Sequence, residues 1–152
     1  MLFVGAIPGP QEPPTTAMNH YLEPLVNDLL VLMKGVEMKM VMNDGSVQVN
    51  KIKACLGTLS SDLPATKKLV SSMSYNSSNG CHLCKTTFES IPGPGNRLDY
   101  YNWDCDHWEK RRREETRNSS RAWKNATTKK AREELEQKTG VRYSILFKLP
   151  YF

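Results

Sequence analysis

Residues 36–62 read VEMKMVMNDGSVQVNKIKACLGTLSSD, and this stretch decides the predicted fold. Two runs of β-forming residues flank Asn43-Asp44-Gly45, and an Asp-Gly pair in such a position is a strong signal for a β-hairpin. We therefore predict antiparallel strands at residues 36–42 and 46–59. The second strand ends just before Asp62, so this acidic residue is expected at the C-terminal end of a strand.

The sequence before the hairpin predicts a helix. Apolar residues recur every three or four positions between residues 16 and 35, and Gly35 follows the last of them. Pro24 lies within this pattern, so the helix is either kinked there or begins near it. A short apolar run at residues 2–7, ended by a proline-rich stretch, predicts one more strand.

The sequence after the hairpin predicts further helices. Residues 63–73 are expected to form a short helix, because Pro64 is tolerated in a first turn. Residues 104–139 predict one or two long polar helices that are ended by Gly140 and, if they are broken at all, are broken near residues 118–120.

Composition indicates one globular domain. The chain has 152 residues, of which 39% are hydrophobic and 24% charged, as in ordinary soluble domains. No run reaches the roughly 18 apolar residues that a membrane-spanning helix needs, and the N-terminus lacks the basic flank of a signal peptide. We therefore expect an intracellular protein without a membrane partner; composition does not indicate its oligomeric state.

The positive charge is concentrated in one segment. Residues 1–109 hold 8 Lys and Arg against 11 Asp and Glu, whereas residues 110–142 hold 12 against 5. A concentrated basic face suits a polyphosphate partner, and cations spread over a helix suit phosphate contacts without base specificity. The candidate DNA-binding residues are Lys110, Arg111, Arg112, Arg113, Arg117, Arg121 and Lys124. A merely solvated helix face is the alternative.

The cysteines suggest a zinc site. Cys81-x-x-Cys84 follows a Gly-containing turn, and such spacing lets two thiolates bind one tetrahedral zinc ion. Cys105 and His107 supply the second pair of candidate ligands, of the soft type that suits zinc. A redox-active Cys pair is the alternative, although no thioredoxin-like βαβ pattern precedes it. Cys55 is expected to be a small buried residue within the second strand.

Several motifs occur in the order in which a known family has them. They are Ile7-Pro8-Gly9-Pro10-Gln11-Glu12-Pro13, Leu22-x-Pro24-Leu25-Val26-x-x-Leu29, Asp62-Leu63-Pro64-Ala65, Cys81-x-x-Cys84, Trp103-Asp104-Cys105-Asp106-His107-Trp108, Arg113-Glu114-Glu115, Gly140-Val141-Arg142-Tyr143 and Leu149-Pro150-Tyr151-Phe152. Together they resemble the CACTA-like (En/Spm) DNA transposases, including their Plavaka-type fungal relatives. The resemblance covers essentially the whole chain.

The resemblance implies an α/β fold. It consists of a partial RNase H-like core, with a mixed sheet and flanking helices, and a helical insertion that contains Cys and His ligands. The implied divisions are a partial core at residues 1–75, a zinc-knuckle-like and basic helical insertion at 76–142, and a truncated return to the core at 143–152.

The resemblance also assigns a role to Asp62. Transposases of this kind cut and join DNA with two divalent cations, Mg²⁺ or Mn²⁺, held by clustered carboxylates. Asp62 matches the second metal-binding acid, whereas the first is expected upstream of Met1 and the last beyond Phe152. The residues alone favour a simpler role, in which Asp62 caps the helix that follows, and the two roles are compatible.

The expected function is therefore that of a fragment of a cut-and-paste transposase, inactive alone and nuclear in location. The run from Lys110 to Arg113 is also compatible with a nuclear localisation signal. The alternatives are a non-catalytic, zinc-stabilised nucleic-acid-binding module and a small interaction protein.

Overall fold

The structure is a computed structural model that describes residues 7, 9, 12–95, 97–101 and 106–152. The strand predicted at residues 2–7 lies outside these residues except for Ile7, which has no regular secondary structure. No helix in the described ranges is both long and apolar enough to cross a membrane.

The first helix and the hairpin follow the sequence pattern. Helix α1 (Met18–Lys34) contains Pro24 and ends where Gly35 adopts a φ of 96° and its N–H donates to a carbonyl in the last turn. Strands β1 (Val36–Val41) and β2 (Val47–Ile52) pair antiparallel in continuous register. The connecting turn is closed by Asp44, whose Oδ1 accepts hydrogen bonds from the backbone and side chain of Ser46.

The second strand is shorter than predicted, because it ends at Ile52 and not at residue 59. Val36, the first residue of β1, already pairs with Ile52, so residues further along have no strand beside them in this sheet. The prediction that Cys55 is a buried strand residue is therefore wrong, since Cys55 lies beyond β2 and is exposed.

The remaining helices are α2 (Leu63–Leu69), α3 (Arg113–Asn125) and α4 (Lys129–Thr139), followed by a 3₁₀ turn (Ile145–Lys148). The predicted break near residues 118–120 is wrong, because α3 continues through them. The break lies instead at Ala126 to Thr128, where the Thr128 hydroxyl accepts a hydrogen bond from the Ala131 N–H and caps α4.

The core joins helix α1 to the segment that follows α4. Its buried members are Val26, Leu29, Ile145, Leu146 and Leu149. The Asn19 side chain of α1 reinforces this packing by donating to the Tyr143 carbonyl at 3.1 Å and accepting from the Ile145 N–H at 2.7 Å. The segment after α4 therefore folds back onto α1.

The described residues thus form a mixed α/β structure with one two-stranded antiparallel sheet and four α-helices. The larger mixed sheet of an RNase H-like core, the Cys/His insertion and the division at residues 75 and 142 stay predictions.

Candidate functional site

Asp62 lies immediately before helix α2, ten residues after β2 ends at Ile52 and in a segment without regular secondary structure, so the prediction that it stands at the C-terminal end of a strand is wrong. Its backbone is extended, with φ −61° and ψ 165°, and its Oδ1 accepts a hydrogen bond from the Ala65 N–H at 2.8 Å. The capping role predicted from the sequence is therefore confirmed. The Asp62 side chain is exposed, so the same carboxylate is accessible from solvent.

Cys81 and Cys84 lie in one tight turn, with Cys81 half-buried and Cys84 fully buried. The Leu83 N–H points at Cys81 Sγ, 3.4 Å away, and Cys84 also forms hydrogen bonds to Cys81. Burial acts to raise the pKa of the Cys81 thiol, but these hydrogen bonds and the nearby Lys67 outweigh it and hold that pKa below its usual value. Backbone N–H donors to sulfur stabilise the thiolate form, which is the form that binds metals.

Two cations support this turn, which we call the cysteine turn (residues 77–84). The Lys67 ammonium donates to the Gly80 carbonyl, and the Arg111 guanidinium donates from Nε to the Cys81 carbonyl at 2.8 Å. Arg111 also donates to the carbonyls of Thr139 at 2.5 Å and Asn79 at 3.5 Å. Burial lowers the pKa of both Lys67 and Arg111.

The second predicted ligand pair is only partly described. Cys105 lies outside the described residues, whereas His107 lies within them and is exposed. A β-bridge pairs Cys84 with Lys110, so the cysteine turn lies beside the segment that begins just after His107. Among the residues that the structure describes, no three His, Cys, Asp or Glu side chains gather as metal ligands. Cys81 and Cys84 are two of the four predicted ligands, and the zinc site stays a prediction.

The candidate DNA-binding residues fall into two groups. Five are exposed: Lys110, Arg112, Arg113, Arg121 and Lys124. Arg111 and Arg117 are half-buried, because Arg111 supports the cysteine turn and Arg117 donates to the Leu149 carbonyl. We call these five exposed candidates the basic face; within it, Arg113 donates from Nε to the Phe152 carbonyl at 2.9 Å and the Lys124 ammonium lies 4.3 Å from the centre of the Tyr143 ring.

Sequence reasoning missed Lys67. Its position in a short polar helix gave no sign that the side chain would be buried, because the carbonyl that it contacts belongs to Gly80, outside the helix. Trp123 of α3 is buried, and its Nε1 donates to Glu136 of α4 at 2.7 Å.

A comparison with protein families shows which family the chain belongs to. A family model described as transposase family tnp2 matches residues 1–139. The chain belongs to the transposase family tnp2. The tnp2 match includes Asp62, both cysteines of the turn and the whole basic face. Searches of curated proteins and of solved structures gave no significant match to this tnp2 chain.

Proposed function

We propose that this chain is part of the DNA-cutting core of a CACTA-like cut-and-paste transposase. The observation that carries the proposal is an exposed carboxylate, Asp62, at the N-terminus of α2 inside the tnp2 match. Strand cleavage by two cations needs clustered carboxylates. In the proposal, Asp62 provides one of them and binds Mg²⁺ or Mn²⁺ in the intact protein.

The first experiment measures nicking of supercoiled DNA with Mg²⁺ or Mn²⁺. The 152-residue chain should not nick DNA, because one carboxylate cannot hold two cations in position. A chain extended in frame by the flanking genomic sequence should nick DNA if it gains the other acids. Asp62→Asn should abolish that activity, because Asn keeps the helix cap but removes the charge.

Two results would contradict the proposal. One is metal-dependent nicking by the extended protein that survives Asp62→Asn. The other is nicking by the 152-residue chain that Asp62→Asn abolishes, since Asp62 would then be sufficient without the predicted partners.

DNA binding is assigned to the basic face. The five exposed cations of this face suit phosphate contacts, which position a protein on DNA without reading its sequence. A protein that binds chromosomal DNA is expected in the nucleus. DNA binding should therefore be salt-sensitive and largely independent of sequence.

The test compares two variants that remove the same charge. Arg112→Gln combined with Arg121→Gln should reduce the slope of log affinity against log salt by about 2, because each neutralised phosphate contributes about 0.9 to that slope. Lys39→Gln combined with Lys53→Gln removes two exposed cations from the hairpin region and should leave the slope unchanged. Equal slopes for the two variants, measured by fluorescence anisotropy, would favour a solvated basic helix.

The second candidate function is a zinc-stabilised nucleic-acid-binding module. It is favoured by the hydrogen bonds from N–H groups to sulfur in the cysteine turn, which match the needs of thiolate ligands. The purified protein should then carry about one zinc per chain in elemental analysis, with Cys81, Cys84, Cys105 and His107 as ligands. Cys81→Ser should release the metal, whereas Cys55→Ser should not.

A further inference from the structure

Helix α2 is the element that carries Asp62, and its attachment to the rest of the protein is unusual. Lys67 is the one buried residue of α2, all of whose residues are described; it is 5% exposed. A short amphipathic helix is ordinarily held by apolar side chains on its inner face. Here the inner position is occupied by a lysine, and burying an ammonium group is costly unless it finds a partner.

The partner of Lys67 is the cysteine turn. Its ammonium donates to the carbonyl of Gly80, the residue immediately before Cys81. No carboxylate forms an ion pair with Lys67 in the described part of the chain. This hydrogen bond is therefore the main polar interaction that retains the lysine in the interior.

The position of the accepting carbonyl is fixed by the turn itself. A Cβ at Gly80 would lie 2.6 Å from the Ser74 carbonyl oxygen and 2.8 Å from that of Ser77, so the backbone is packed too tightly for any side chain. The Gly80 N–H also donates to the Ser77 carbonyl at 2.8 Å. A displacement of the turn must therefore displace the Lys67 ammonium or break its hydrogen bond.

We infer that Lys67 is a positioning residue that couples the cysteine turn to the helix whose first turn Asp62 caps. Perturbing the turn then changes how firmly the first turn of α2 is held, and with it the orientation of the Asp62 carboxylate. The consequence for catalysis by Asp62 rests on the proposed function. The coupling itself is measurable without any DNA chemistry.

The experiment is hydrogen exchange of the full chain, read on peptides that cover residues 63–69. Cys81→Ser perturbs the turn because a hydroxyl on a shorter bond from Cβ replaces the sulfur that accepts the Leu83 N–H. In the otherwise native chain it should speed exchange of α2 about 10-fold, a coupling typical of directly interacting groups. In the Lys67→Met background, α2 should already exchange faster, and adding Cys81→Ser should change it by less than about 3-fold.

Lys68→Met is the matched control. Lys68 is the next residue of α2, and its side chain lies near the surface in an ion pair with Glu12. Lys68→Met should leave α2 protection near the native level, and Cys81→Ser should keep its full effect in that background. Lys67→Arg, which retains a buried cation, should preserve more protection than Lys67→Met.

Three results would overturn the inference. The first is equal exchange of α2 in Lys67→Met and Lys68→Met. The second is an effect of Cys81→Ser that is equally large in the native and Lys67→Met backgrounds. The third is faster exchange of α1 (residues 18–34) to the same degree as α2, because it would show general unfolding and not a local connection. Metal-dependent nicking by the extended protein that survives Asp62→Asn, together with normal exchange coupling, would contradict only the proposed function.

Discussion

The β1–β2 hairpin and the cysteine turn are organised in opposite ways. The hairpin is closed by hydrogen bonds between residues near each other in sequence, and its apolar side chains at Val41, Val47 and Val49 are exposed. The cysteine turn is held by groups from far along the chain: Arg111 is 30 residues from its acceptor Cys81, and Asn79 is 58 residues from Gln137. The hairpin therefore depends on local sequence, whereas the turn depends on the tertiary fold.

Removing an aromatic ring should show the largest difference between the two regions. Phe88 is 8% exposed, packs at 4.7 Å from the Tyr100 ring and donates its N–H to the Ser78 carbonyl in the cysteine turn. Phe88→Ala should lower the free energy of unfolding by about 3–5 kcal/mol, the usual cost of truncating a buried ring. Val49→Ala in the hairpin should cost less than about 1 kcal/mol, because Val49 is 59% exposed. Similar losses in urea denaturation would contradict the comparison.

Two glycines give a second, smaller contrast. Gly45 in the hairpin turn has φ 83° and nothing near its missing Cβ, whereas Gly140 after α4 has φ 70° and a Cβ there would overlap the Asn79 carbonyl. Gly45→Ala should cost about 1 kcal/mol of unfolding free energy, from backbone conformation alone. Gly140→Ala should cost about 2–4 kcal/mol, because steric overlap adds to the same backbone effect. Thermal unfolding of both variants measures these two costs. Equal costs would contradict the contrast, because they would show that the backbone at Asn79 moves to accept a Cβ at residue 140.

Neighbouring arginines give the third contrast, within the basic segment. Arg111→Gln should lower the free energy of unfolding by about 1.5–3 kcal/mol, because the carbonyls of Cys81 and Thr139 lose a charged donor. Arg112→Gln should change it by less than about 0.5 kcal/mol, since Arg112 is exposed. DNA binding should show the reverse order, with a lower salt slope only for Arg112→Gln. A reduced salt slope in a stable Arg111→Gln protein would contradict this prediction, because it would show that Arg111 belongs to the DNA-binding surface of the protein.

The sequence predicted the elements whose signals are local. The apolar periodicity of α1, the Asp-Gly turn of the hairpin and the Asp62 cap of α2 are all present in the structure. The errors occurred where a partner outside the segment itself decides the outcome. The end of β2 is fixed by the length of β1, and residues 118–120 remain helical within α3, which contributes the buried Ser120 and Trp123 to the packed interior.

The candidate site divides in the same way. The sequence by itself determined membership of a transposase family, the residue types of the cysteine pair, the capping role of Asp62 and the concentration of positive charge, because composition, spacing and capping are properties of short segments. Only the tertiary structure decided that Arg111 and Lys67 face inward while Arg112 stays exposed. The physical reason is that a cation becomes buried only where the fold brings backbone carbonyls to it, and those carbonyls belong to residues that the local sequence does not specify.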